Sequence, residues 1–319
     1  MEIFMQAKFI EYNKYINRYY TNNKIFNSKD YNLFTKVKDC NYLSRILGKL
    51  IKNWKTAFSF FKKNMTEILN NGDEVVAEYC LKIILNAKRE YIDKVTRLLK
   101  KTKIEPNAIA KIFKKAYDES FDYRLCYNLR NYVQHVDIVG IYLLKDCDEK
   151  ISFKIDLSKY KDNHDGIQSS FKKELESIEH DICDLTYILD NLNEQILQIH
   201  TEIVDMVKLV ILENKTVYCL SLKFLYNKYA NKDIRFNAIM DSWKENHRNK
   251  SKIHLFNINE ITKHIDCYCG QNIKLYSKDK YKFIILKELL SDDLIKSKEL
   301  TQEEEKVVVN AITSFLSLI

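Results

Sequence analysis

The residues of this chain best suited to chemistry lie in one stretch, Leu129, Arg130, Asn131, Tyr132, Val133, Gln134 and His135. RNA is cleaved without metal when its 2′-hydroxyl loses a proton and attacks the adjacent phosphorus, leaving a 2′,3′-cyclic phosphate and a 5′-hydroxyl. An imidazole suits the proton transfer because its ordinary pKa of about 6.5 lies near working pH. A guanidinium suits the phosphate because it stays charged and binds two oxygens as charge grows in the transition state. His135 and Arg130 are therefore the candidate catalytic pair. Asn131, one turn before His135, would fix the imidazole or hydrogen-bond the phosphate, and Arg124 and Asn128 would support the RNA.

Spelling alone is weak support. With eight Arg and seven His in 319 residues, an Arg followed five to seven positions later by His is expected about 0.5 times by chance. A second match, Arg248, Asn249 and His254, sits at the edge of a hydrophilic stretch without a core stripe and reads as coincidence. Around Arg130 the context differs. Phe121, Leu125, Leu129, Tyr132, Val133 and Val136 recur at helical spacing, and at about 100° per residue Arg124, Asn128, Asn131 and His135 line one border of that stripe. Arg130 stands about 140° from His135 on a straight helix. Three arrangements bring them together: an unwound turn near His135, a long reach by the Arg, or a site shared by two protomers. The plainer alternative places His135 on the carbonyls of the last turn and Arg130 in a surface ion pair.

The elements that must position these residues are mainly helical. Five glycines and one proline are too few for turn-dense sandwiches, propellers or collagen-like repeats. Periodicity predicts helices over residues 2–20, 42–69, 73–101 with Asp73 as N-cap, 106–117 beginning at Pro106, and 121–136 capped by Asp118 or Ser120. Two short apolar runs, 141–144 and 151–157, read as a β-hairpin. From Ile167 to Leu209 apolar residues fall every three or four positions. This seam needs a partner helix, in the same chain or in another, and offers a dimer surface. The polar stretch Asp190 to Gln195 leaves open whether residues 166–214 form one helix or two. Helical stretches at 217–243 and 303–319, with short strands near 255–258 and 273–276, complete the pattern. The expected organisation is an N-terminal helical region, 1–72, a helical bundle with the hairpin, 73–215, and a C-terminal mostly helical region, 216–319.

Composition narrows the partners. The net charge of +8 is mild and fits an anionic partner such as RNA. No apolar run reaches the ~18 residues that cross a bilayer, and the first residues lack a signal-type apolar core, so a cytoplasmic protein is expected. Eight scattered cysteines read as reduced core thiols. His264, Cys267 and Cys269 are the nearest approach to a metal set, without a fourth ligand at a familiar spacing; no metal is expected. Glycine-rich phosphate loops are absent from the sequence, and no cofactor is expected.

The Arg-polar-x3-His pattern at Arg130, Asn131 and His135, with the helices around it, resembles the signature of the HEPN superfamily. The likeness covers about residues 73–213. It implies a helical bundle carrying a metal-independent ribonuclease site formed where two such units face each other, with Arg130 and His135 catalytic and Asn131 at the polar position. Many such proteins are toxins or abortive-infection effectors that cleave RNA. The resemblance thus implies an RNA substrate, a homodimer with a composite site, and an antitoxin or other regulatory partner. The alternative is a non-catalytic helical module that binds RNA or protein.

Overall fold

The computed structural model describes residues 5–13, 18–71, 73–100, 106–136, 141–145, 151–162, 167–229, 236–245, 248–269, 285–290 and 298–319. Mainly helical, with small antiparallel sheets, the chain falls into two compact units. One comprises residues 46–207, and the other joins residues 1–45 to 208–319. These lines differ from the expected division at 72 and 215, because the two ends of the chain share a sheet.

That sheet corrects the helix expected at 2–20. Residues Met5–Asn13 (β1) and Arg18–Ile25 (β2) pair antiparallel, and β1 also pairs with Ala238–Glu245 (β6), which pairs with Arg248–Leu255 (β7). The strand order is β2-β1-β6-β7. Successive side chains of a strand face opposite ways: Phe9, Ile239 and His254 form one cross-strand row, and Ile10, Ala238 and Leu255 the next. Phe9 is fully buried among the rings of Phe26, Tyr226, Phe236 and Phe256, while Ile10, Ala238 and Met240 close a smaller cluster on the other face. Of the two partners of β1, β2 is adjacent in sequence but β6, which joins it to the core, lies more than 200 residues away, so local periodicity does not announce it. The helix expected over 217–243 is cut for the same reason: it ends at Tyr229, and Trp243 belongs to β6. The strand expected near 255–258 instead ends at Leu255, and Ile258 opens a helix; 273–276 lies outside the described residues. Helices Ser28–Val37 (α1), Ile258–Cys269 (α9) and Gln302–Leu318 (α10), with the second half of Leu185–Tyr229 (α8), complete this unit.

The other unit holds most of Tyr42–Asn71 (α2), then Glu74–Leu99 (α3), Pro106–Glu119 (α4), Phe121–Val136 (α5) and the first half of α8. Asp73 caps α3 by accepting from Val76 N–H and Ser120 caps α5 by accepting from Tyr123 N–H, both as the sequence predicts. The hairpin forms between Ile141–Lys145 (β3) and Ile151–Asp156 (β4), and gains a third strand, Ile182–Asp184 (β5). Short helices Ser158–Asp162 (α6) and Ser169–Glu176 (α7) precede β5.

The long seam is not one helix from 166, nor is it divided at the polar stretch 190–195: α7 covers its start and α8 the rest. It breaks at β5 and then runs unbroken from Leu185. Its apolar side, including Leu189, Leu192, Ile196 and Ile203, is fully buried within the chain's own bundle, which corrects its assignment as a dimer surface. The polar stretch that suggested a break is instead cross-linked. Asp190 pairs with Lys62, Asn191 donates to Asp122 at 2.7 Å, and Asn193 accepts from Trp54 Nε1 at 3.0 Å. Two turns on, Tyr91 and His200 share a 2.9 Å hydrogen bond. No described helix is long and apolar enough to cross a membrane.

Candidate functional site on helix α5

Helix α5 buries Tyr123, Leu125, Cys126, Leu129 and Tyr132, and the polar residues flanking this stripe have different surroundings. Arg124 is locked. Its Nε and Nη2 donate to the two carboxylate oxygens of Glu174 on α7 at 2.9 and 2.6 Å, and Nη1 donates to the carbonyls of Tyr117 and Asp118. The paired carboxylate holds the guanidinium pKa above its ordinary value. Asn128 is equally committed and only 1% exposed: its Nδ2 donates to the Arg124 carbonyl at 2.9 Å, and its Oδ1 accepts from Gln168 N–H at 3.0 Å, just ahead of α7. These two residues join α5 to α7. Their expected role as RNA supports is therefore corrected to a structural one, since four of the five N–H groups of Arg124 and both ends of the Asn128 amide are engaged internally.

Arg130 differs from Arg124. Half-buried, it makes one side-chain hydrogen bond, Nη1 to the neighbouring Asn131 Oδ1 at 3.3 Å. Its Nε is buried without a hydrogen-bond partner, and no carboxylate pairs with it among the described residues. A guanidinium held in this way keeps its charge and most of its donors for an incoming anion. His135 lies on the last turn of α5, and its side chain is outside the described residues. The helix continues without interruption to Val136, which removes the unwound turn as a means of bringing His135 to Arg130. The reach of the Arg side chain and a second protomer remain as ways to join them.

Beneath α5 lies a residue that the sequence reading missed. Lys88 of α3 is 2% exposed; its Nζ donates to the Tyr123 carbonyl at 2.9 Å and stands 3.7 Å from the centre of the Tyr123 ring. Burial pushes its ammonium pKa down to about 7 and the neighbouring Cys126 thiol up to about 12. A signal was present: Leu81, Ile84, Lys88, Tyr91, Val95 and Leu98 form one stripe at steps of three and four, and a lysine on a core stripe is an anomaly in itself.

His264 Nε2 shares a 3.0 Å hydrogen bond with Thr216 Oγ1, and burial pushes the imidazole pKa down to about 3. Among the described residues, no three His, Cys, Asp or Glu side chains are grouped to hold an ion. No protein-family model matches the chain, and no curated protein or solved structure does.

Proposed function

We propose that this chain is a metal-independent endoribonuclease of the HEPN type, acting through Arg130, Asn131 and His135, and that it serves as a toxin or anti-phage effector. The observation that carries the reading is the contrast on one helix: Arg124 is neutralised by Glu174, whereas Arg130, six residues on, has no carboxylate partner among the described residues and an unpaired Nε. Arg130 would hold the scissile phosphate, His135 would move the proton of the 2′-hydroxyl or of the leaving 5′-oxygen, and Asn131 would steady the guanidinium through the 3.3 Å bond already present. Because five residues on an unbroken helix separate Arg130 and His135 by about 140°, a second protomer supplies the complementary half of the site in this scheme. Its interface lies away from the buried seam of α8.

The test is cleavage of labelled RNA in excess EDTA by the wild-type protein, Arg130→Ala and His135→Ala, followed by analysis of the product ends. Cyclic-phosphate ends from the wild type alone, with both variants reduced at least a hundredfold, are expected. Cleavage that persists in both variants, or none by the wild type, overturns the assignment.

A further inference from the structure

In the unit that joins the chain ends, α1 lies on the sheet face carrying Ile239, Asp241 and His254. The register explains why these three meet: Ile239 is opposite His254 and Asp241 is opposite Lys252, so Asp241 and His254 are diagonal neighbours on one face. Tyr31, Phe34 and Lys38 recur at helical spacing at the end of α1 and point to that face. Tyr31 Oη donates to Asp241 Oδ1 at 3.1 Å, Lys38 Nζ donates to Oδ2 at 3.0 Å, and the Phe34 ring stands edge-on to His254. Asp241 is 2% exposed, and despite burial the neighbouring His254, Lys38 and Tyr31 together hold its carboxyl below the usual range. His254 Nε2 is 3.8 Å from Asp241 Oδ2, beyond hydrogen-bond length, and has no other partner among the described residues.

A small cleft of about 30 Å³ opens beside this cluster, lined by Lys38, Asn41, Tyr42, Arg45, Tyr218 and His254 among others. Asp241 is the acidic group of the cluster, and it is already matched by Lys38. Arg45 adds an unmatched charge: it is exposed, its guanidinium stands 5.9 Å from the centre of the Tyr42 ring, and no carboxylate pairs with it among the described residues. The cleft thus combines two cations, an amide and two tyrosine rings, one of them 39% exposed. Phosphate meets the cations and a flat heterocycle meets the exposed ring.

We infer that this cleft binds a nucleotide phosphate, either on a free mononucleotide or at the end of an RNA strand: Arg45 and Lys38 take the phosphate, and the base stacks outside the cleft on the exposed Tyr42 ring. As Lys38 leans toward the phosphate, Asp241 takes a hydrogen bond from His254 Nε2 in its place, which gives the unpartnered imidazole nitrogen its role. Side chains do all of the binding, so no glycine-rich loop is required. The inference does not depend on the ribonuclease reading, because every residue it uses lies in the other unit.

Calorimetry of the full chain tests it with AMP, ribose 5-phosphate, inorganic phosphate, and a short RNA with or without a 5′-phosphate. Saturable binding of AMP is expected, at least tenfold tighter than ribose 5-phosphate or phosphate and weakened at least tenfold in Arg45→Glu and Tyr42→Ala. Arg130→Ala should bind as the wild type does. Both cleft substitutions are at exposed positions, and an unchanged melting midpoint verifies their fold. Tighter binding of the 5′-phosphorylated RNA than of its unphosphorylated form or of AMP assigns a strand end, and tighter AMP binding assigns the free nucleotide. Absence of saturable nucleotide binding, equal affinity for ribose 5-phosphate and AMP, or wild-type affinity in Arg45→Glu overturns the inference.

Discussion

Arg124 and Arg130 share one helix and one residue type, yet the first is held in a bidentate pair with Glu174 and two carbonyls and the second is not. The two substitutions should therefore separate stability from activity. Arg124→Ala removes charge-assisted bonds and leaves Glu174 without its partner, a loss of about 1–3 kcal/mol in urea denaturation; cleavage should fall only with the folded fraction. Arg130→Ala should change stability by less than about 0.5 kcal/mol while abolishing cleavage. The buried bases make a second residue-scale prediction. His264 and Lys88 both have depressed pKa values, about 3 and about 7. Between the folded and ordinary values the unfolded chain binds the proton that the folded chain lacks, so stability rises with pH through each window. For His264 the window runs from about 3 to about 6.5, and for Lys88 from about 7 to about 10.5. Lys88→Met should remove a rise of about 2 kcal/mol between pH 7 and pH 9, measured as the difference in unfolding free energy.

At the scale of elements, α8 is the member on which the bundle unit depends. Its apolar side is fully buried, and its polar turn from Asp190 to Asn193 bonds to α2 and α5. Ile196→Ala, at a position with no exposure, should cost about 2–4 kcal/mol through loss of burial and the cavity left behind. Because the side chain faces the chain's own core, the drop in melting midpoint should be the same at every protein concentration. A concentration-dependent drop would return the seam to an intermolecular role. Asn193→Leu should cost about 1–2 kcal/mol by leaving Trp54 Nε1 unpaired in a buried setting.

At the scale of the whole molecule, the separation of Arg130 from His135 around an unbroken helix predicts complementation between protomers. Mixed Arg130→Ala and His135→Ala proteins should regain about a quarter of wild-type cleavage after exchange, because half of the dimers are mixed and each has one intact composite site. Light scattering should find the same mass for the wild type and both variants. If the mixture stays inactive, both residues act within one chain.

What the sequence alone determined is what depends on near neighbours. The stripes at residues 42–71, 74–99 and 121–136 predicted their helices to within two residues at each end, and Asp73 and Ser120 announced the caps. Periodicity and capping are local properties, and for these elements burial of one face followed the local preference. Tertiary structure alone decided the rest. The first strand does not read as a strand locally, because β6, the partner that joins its hairpin with β2 to the rest of the sheet, is more than 200 residues away. The polar turn of α8 looked like a break until Lys62, Asp122 and Trp54 arrived to satisfy it. Which arginine of α5 is locked depends on Glu174, 50 residues on. His254, which in sequence belongs only to a coincidental Arg-to-His spacing, lies beside a cleft because Asp241 is its diagonal neighbour in the sheet and α1 brings Tyr31 and Lys38 to that face. In each case the deciding term is a contact between distant residues, whose closure the chain achieves only when the whole core forms.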